Sequence, residues 1–333
     1  MLILYIVVAL VLVFDFLNGF HDSANSIATV VSTRVLSPFV AVALAAFFNF
    51  IAFTVFPMKV AHTLSKNVVD PSIINMTVIS GALVAAIIWN LVTWWWGLPS
   101  SSSHTLVGGL VGAAFAHAGI KSIILPGLLK IVLFIFIAPV MGMVISYCLS
   151  SLVVFLFRRF TPARVNSIFR RLQLISSSTL SLGHGGNDAQ KSMGIIWAAL
   201  IIMNLTSPES KSPPLWVILS CQTAIALGTM FGGWRIVKTM GQKITKVKPF
   251  EGFCSELSGA MTLFGSTAFG IPVSTTHTIT GAIIGVGARK GVSAVKWGVT
   301  RSIFLAWILT IPVSAVIGGA MYFFFRWLFA LVM

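Results

Sequence analysis

The chain has 333 residues, 57% of them hydrophobic and only 9% charged. Soluble domains carry about 25% charged residues, so a water-soluble globular protein is excluded and a polytopic membrane protein is expected. The net charge of +15 does not mark a nucleic-acid binder, because Lys and Arg cluster in short segments between apolar runs, as the positive-inside rule requires.

Residues 1–14 are apolar and lack the basic start of a signal peptide. They are expected to begin a first crossing over about residues 2–33, interrupted at Asn18 and Gly19 by the stretch NGFHDSANSIA. Arg34 follows, and Pro38 opens a second run to about residue 58. Lys59 to Pro71 is a polar connection ending in the turn signal Asp70-Pro71, with His62 as a loop residue. A third run over about 73–96 closes in Trp94, Trp95 and Trp96, an interfacial cluster. Next come GLPSSSSHTLVGGLVG (97–112), His117 in an expected loop, and the apolar run 122–157, expected to be split by Pro139.

Arg158, Arg159, Arg164, Arg170 and Arg171 make a short link, after which the pattern restarts. Residues 173–206 carry GHGGNDAQKSMG, and 214–234 is another apolar run before a basic loop with Arg235, Lys238, Lys243, Lys246 and Lys248. Residues 253–269 lead into GIPVSTTHTITGAIIG (270–285), and a last run over 297–331 is expected to be split by Pro312. Cys148, Cys221 and Cys254 stand singly without CxxC spacing, so they read as packing residues and not as a disulfide or zinc framework.

Two elements recur in the same order. Asp22 and Asp188 lie 166 residues apart, and His104 and His277 lie 173 apart. The expected architecture is all-α, with a first transmembrane repeat at 1–157, an Arg-rich link at 158–172 and a second repeat at 173–333. No Lys or Arg precedes Arg34, which puts the N-terminus outside and the Arg-rich link in the cytoplasm. Odd crossings per half then invert the second repeat, so that broken helices or helical hairpins meet at a midplane site. Whether 97–118 and 270–288 cross or re-enter stays open at this stage.

A carboxylate at membrane depth is costly and is a functional hypothesis by default. Asp22 and Asp188 are expected to hold a coupling cation, sodium or a proton, with Asn18, Asn25, Asn187 and glycine-freed carbonyls as further oxygens. Glu256 and Asn49 are further candidates for tuning that coupling. Gly-x-Pro breaks the helix before each hydroxyl run, and the first-turn amides of the following helix form a ready anion site. Ser101, Ser102, Ser103 and Thr105 would face Ser274, Thr275 and Thr276 around one tetrahedral oxyanion, with Asn25, Asn187 and Lys191 close by. Lys191 would pair with Asp188 or reach the anion directly. His104 and His277 are expected to be hydrogen-bonded between helices, and His21 and His184 are weaker candidates. Gly108, Gly109, Gly112, Gly281 and Gly285 permit close helix packing. No nucleophile–base pair or metal-ligand spacing suggests an enzyme.

The paired signatures NGFHDSANSIATV and GHGGNDAQKSMGI, together with GLPSSSSHT and GIPVSTTHT, resemble the inorganic phosphate transporter family over essentially the whole chain. FFNF, IIWN and GHGGNDAQKSMG are most similar to the bacterial permeases of that family. The resemblance implies an integral protein of a bacterial plasma membrane that imports inorganic phosphate by symport with a cation, the two signature carboxylates being Asp22 and Asp188. It also implies inverted repeats and a phosphate cradle at the hydroxyl runs. Bacterial members are proton-coupled and carry neutral metal–phosphate complexes, whereas sodium-coupled animal members have a glutamate where Asn49 stands; Glu256 matches a family glutamate. Partners on this reading are phosphate, the cation and the bilayer, with no nucleic acid and no cofactor; self-association is left open. The rival readings are a sulfate permease of the same fold, a passive anion channel and a membrane-embedded phosphate sensor.

Overall fold

The computed structural model describes residues 1–56, 68–207, 210, 212–268 and 273–332. Among the described residues the chain is helical between its turns, with one isolated antiparallel bridge from Val69 to Ile123. The helices are α1 (Leu2–Ser32), α2 (Pro38–Ile51), α3 (Met76–Trp96), α4 (Ser102–Ala118), α5 (Leu125–Phe157), α6 (Pro162–Ile202), α7 (Leu215–Phe231), α8 (Trp234–Lys238), α9 (Pro249–Ala268), α10 (Thr275–Lys290) and α11 (Trp297–Val332). Leu2–Ser32, Met76–Trp96, Leu125–Phe157 and Trp297–Leu331 are long and apolar enough to cross a membrane. Among the described residues a fifth span is formed if α7 and the segment Trp234–Lys243, which is α8 and the turn after it, count as one across a 59° bend. Leu129, Leu133, Phe136 and Val140 on α5, and Ile308, Val316, Phe323 and Trp327 on α11, are exposed. Such faces have no place in water and suit lipid.

Three expectations need correction. The first crossing is not interrupted: α1 runs unbroken through NGFHDSANSIA, and α6 runs unbroken through GHGGNDAQKSMG. In a low dielectric every freed backbone group is costly, and both motifs avoid that cost by staying helical. Their glycines therefore release no carbonyls. A Cβ on Gly19 would strike the Ile225 carbonyl and one on Gly185 the Asn49 backbone, so these positions let helices touch. Likewise Pro139 and Pro312 lie inside single helices, α5 and α11, rather than splitting them. His117 belongs to the last turn of α4, where it meets Asn75 and the Tyr322 hydroxyl. His62 and Gly270-Ile271-Pro272 lie outside the described residues. Most of the Arg-rich link is the start of α6, with Pro162 in its first turn.

Local chemistry sets the remaining ends. Asp70 caps a short 3-10 turn, accepting bonds from the Ser72 amide and hydroxyl at 2.9 and 2.7 Å. Those two donors hold its carboxyl below the usual carboxylate range. Asn75 caps α3, and Gly97, with φ of 65°, ends it in the left-handed region that suits glycine. Ser101 and Ser274 cap α4 and α10 by accepting the His104 and His277 amides at 3.3 and 3.2 Å.

These turns create two antiparallel hairpins. In the first, the start of α3 meets the end of α4 through Asn75 and His117 at 3.2 Å. In the second, Glu251 at the start of α9 pairs with Lys290 at 2.8 Å and Arg289 at 3.7 Å at the end of α10. The first hairpin packs Val78, Ile79, Leu83 and Leu106 with Leu4, Val7 and Val11 of α1. The second packs Ala260, Leu263, Ile279 and Ile283 with Ala24, Ile27 and Ala28 of α1. The hairpins thus lie along opposite halves of α1, and their tips converge on its middle.

Candidate functional site

The centre lies where α1 and α6 cross antiparallel, as the contacts Asp15–Ser192 at one end and Thr33–Gln173 at the other define. The crossing brings Asp22 and Asp188, both buried, to one spot. The Thr275 hydroxyl stands 3.5 Å from Asp22 Oδ2 and 3.4 Å from Asp188 Oδ2. The Ser102 hydroxyl of the first hairpin lies 3.3 Å from Asp22 Oδ2, and Thr276 of the second donates to Asp22 Oδ1 at 3.3 Å. Both hairpin tips therefore reach the same carboxylate.

Around Asp188 the partners are charged or polar. Lys191, one turn on, is bonded to it and also to the Ser103 hydroxyl of the first hairpin. Asn187 donates to Asp188 Oδ1 at 2.9 Å and to the Val273 carbonyl at 3.1 Å. Asn25 donates to Thr275 and Thr276 at 3.3 and 3.0 Å. The amide oxygens of Asn25 and Asn187 are buried and receive no donor. Buried polar atoms are almost always satisfied, so two orphaned oxygens beside two carboxylates suit a cation. Asn18 differs, because its oxygen is taken by Ser102 at 2.6 Å.

The hydroxyl runs divide by where they point. Ser102, Ser103, Thr275 and Thr276 turn toward the carboxylates and Lys191. Ser101 and Ser274 are helix caps, and Thr105 bonds back to the Ser101 carbonyl at 2.7 Å, one turn earlier on its own chain. Glu256 is not brought to this centre. It is buried between α1, α6 and α9, where Thr29 donates to it at 2.6 Å and Gln173 at 2.8 Å, with Ser176 on its second oxygen. His104 and His277 lie together behind the hydroxyl runs, where His277 also faces the backbone of Ile135 on α5. Their rings meet edge to face with centroids 4.8 Å apart, and both His277 nitrogens and His104 Nδ1 lack partners.

Sequence reasoning ranked two histidines too low and passed over one carboxylate. His21 Nδ1 lies 2.8 Å from Asp22. The Asn49 amide donates to Thr229 at 2.9 Å, which leaves its oxygen to accept from His184 Nδ1 at 3.2 Å. That bond leaves the other ring nitrogen, Nε2, 3.2 Å from Asp188 Oδ2. Ligand atoms of Asp22, His184 and Asp188 all fall within 4.8 Å of one another, an arrangement able to hold a metal ion. Asp15 is buried with one oxygen on Ser192 at 2.6 Å and the other unpartnered. The signal for it was helical spacing: Asp15, Asn18, Asp22, Asn25 and Thr29 share one face of a continuous helix.

Comparison with known proteins gives the family. Residues 18–318 match the model of the phosphate transporter family. A relative from Rhizobium meliloti (strain 1021), named a probable low-affinity inorganic phosphate transporter, is 57% identical over 95% of this chain and 94% of its own length. One of the same name from Bacillus subtilis (strain 168) is 44% identical over 97% of each chain. A solved structure titled the sodium-dependent phosphate transporter superposes with a TM-score of 0.89 at 27% identity, covering 100% of both chains. These relatives are named as transporters and not as enzymes. A family match spanning the site, both hairpins and all but the ends of the chain makes this an integral membrane protein of the phosphate transporter family.

Proposed function

We propose that the chain imports inorganic phosphate across a bacterial plasma membrane as a secondary active symporter, coupled to sodium or protons. Phosphate sits between Ser102 and Ser103 of one hairpin tip and Thr275 and Thr276 of the other, within reach of Lys191 and of the first-turn amides of α4 and α10. Asp22 and Asp188, with the free oxygens of Asn25 and Asn187, take the coupling cation. The observation that carries this reading is the shared centre itself. Two buried carboxylates and one buried ammonium leave net negative charge where an anion must enter, so entry needs a positive partner. His184 Nε2 adds a nitrogen donor that also suits a divalent ion arriving with phosphate.

The two halves, 1–157 and 173–333, are inverted repeats on this reading, with the N-terminus outside and the segment 158–172 in the cytoplasm. Hairpins approaching from opposite ends of α1 support it. So does the 173-residue offset, which relates Pro139 to Pro312 as well as His104 to His277.

Phosphate uptake into vesicles tests the assignment. Asp22→Asn and Asp188→Asn are expected to abolish cation-driven accumulation, and near-normal uptake in both variants would sink it. Uptake with and without sodium across a pH series separates the two coupling ions.

A further inference from the structure

Trp307 touches both phosphate-facing tips, although nothing in the motifs points to it. It is among the largest fully buried side chains. Its indole N–H donates to the Pro99 carbonyl at 2.9 Å, in the turn that leads into Ser100 to Ser103. Its ring face lies on His277 with centroids 3.9 Å apart and planes 23° apart, and His277 follows Thr275 and Thr276 in the first turn of α10. His277 in turn meets His104, two residues past Ser102. One side chain on α11 therefore holds the entrance of the first tip by a hydrogen bond and the start of the second by stacking.

We propose that Trp307 is a positioning residue that sets the separation of the two helix starts, and with it the affinity for phosphate. The proposal rests on the functional reading above. Anion binding across two helix ends requires both sets of first-turn amides and hydroxyls at a fixed distance, since a small error in position weakens every contact at once. The arrangement is one-sided. The residue matching Trp307 by the 173-residue offset is Phe134, which has no donor to hold a turn. The N–H of Trp307 thus pins the first tip specifically.

The test uses the full-length protein in proteoliposomes. Trp307→Phe keeps a ring for His277 and deletes the donor. Benzothienylalanine at position 307 keeps the fused ring as well and removes only the N–H, so it guards against a folding defect. Both are expected to raise KM for inorganic phosphate about tenfold, the size of one lost hydrogen bond to a buried carbonyl, with Vmax held within about twofold. Phosphate-induced thermal stabilisation of the purified protein should fall in step. A residue that only supports the fold would lower protein yield and Vmax and leave KM unchanged. An unchanged KM with the isostere overturns the proposal whatever Trp307→Phe does. Absence of phosphate uptake by the unsubstituted protein would instead overturn the functional reading beneath it.

Discussion

At the centre, single residues are held by charge, and Lys191 is the clearest case. Its ammonium is buried together with the Asp188 carboxylate and bridges to Ser103 of a different element. Removing one partner of a buried ion pair leaves the other charge uncompensated, which costs about 3–5 kcal/mol. Lys191→Met should therefore lower the unfolding temperature sharply. Asp188→Asn combined with Lys191→Met should recover much of the loss, because the orphaned charge is gone. Additive losses in the double variant, read by thermal unfolding in detergent, would show that the pair contributes nothing as a pair. The sequence placed Lys191 near both Asp188 and the anion, three residues from one and opposite the serines of the other. It did not separate Ser101 from Ser102, because a shift of one residue in where α4 begins decides which hydroxyl caps and which faces the site.

Elements here meet through glycine. A Cβ on Gly112 would fall on the Ala315 backbone of α11, and one on Gly281 on the Pro139 backbone of α5. Backbone has no rotamer to yield, so Gly112→Ala should destabilise by about 1–3 kcal/mol. Gly298 on α11 has nothing within 4 Å of its would-be Cβ. Alanine there should be neutral or should stabilise by about 0.5–1 kcal/mol through helix propensity. Equal effects at the two positions, measured as unfolding temperatures, would mean that close approach does not hold α4 to α11. The small-residue pattern was readable in the sequence, and so was the helix break at Gly97. The continuity of α1 and α6 was not. Clusters of Asn, Gly, Ser and Asp favour turns in water, but here neighbouring segments engage the side-chain donors of Asn25, Asn187 and Ser192 and the backbone keeps its helical bonds. Had α1 been read as unbroken, the face carrying Asp15, Asp22 and Asn25 would have been visible from spacing alone.

On the scale of the whole molecule, the two hairpin bases lie at opposite ends of α1. The base of the first, at Asp70 to Asn75 and His117, lies beside the N-terminal end of α1. The base of the second joins Glu251 to Arg289 and Lys290 and lies beside its C-terminal end. A site reached by two tips from opposite sides needs only one hairpin at a time to yield for access to alternate. On the proposed inverted reading the bases face different compartments, the second, which carries Arg289 and Lys290, toward the cytoplasm and the first, which carries Asp70 and Lys121, away from it. Ser72 and Ser293 are exposed beside the two bases. Cys221 and Cys254 are buried, so a membrane-impermeant maleimide should meet little background from them. In right-side-out vesicles of a variant lacking Cys148, Ser72→Cys should label directly and Ser293→Cys only after the membrane is permeabilised. Labelling of both from one side would place the bases together and rule out an inverted pair, while the reverse pattern would keep the inversion and turn the protein over in the bilayer.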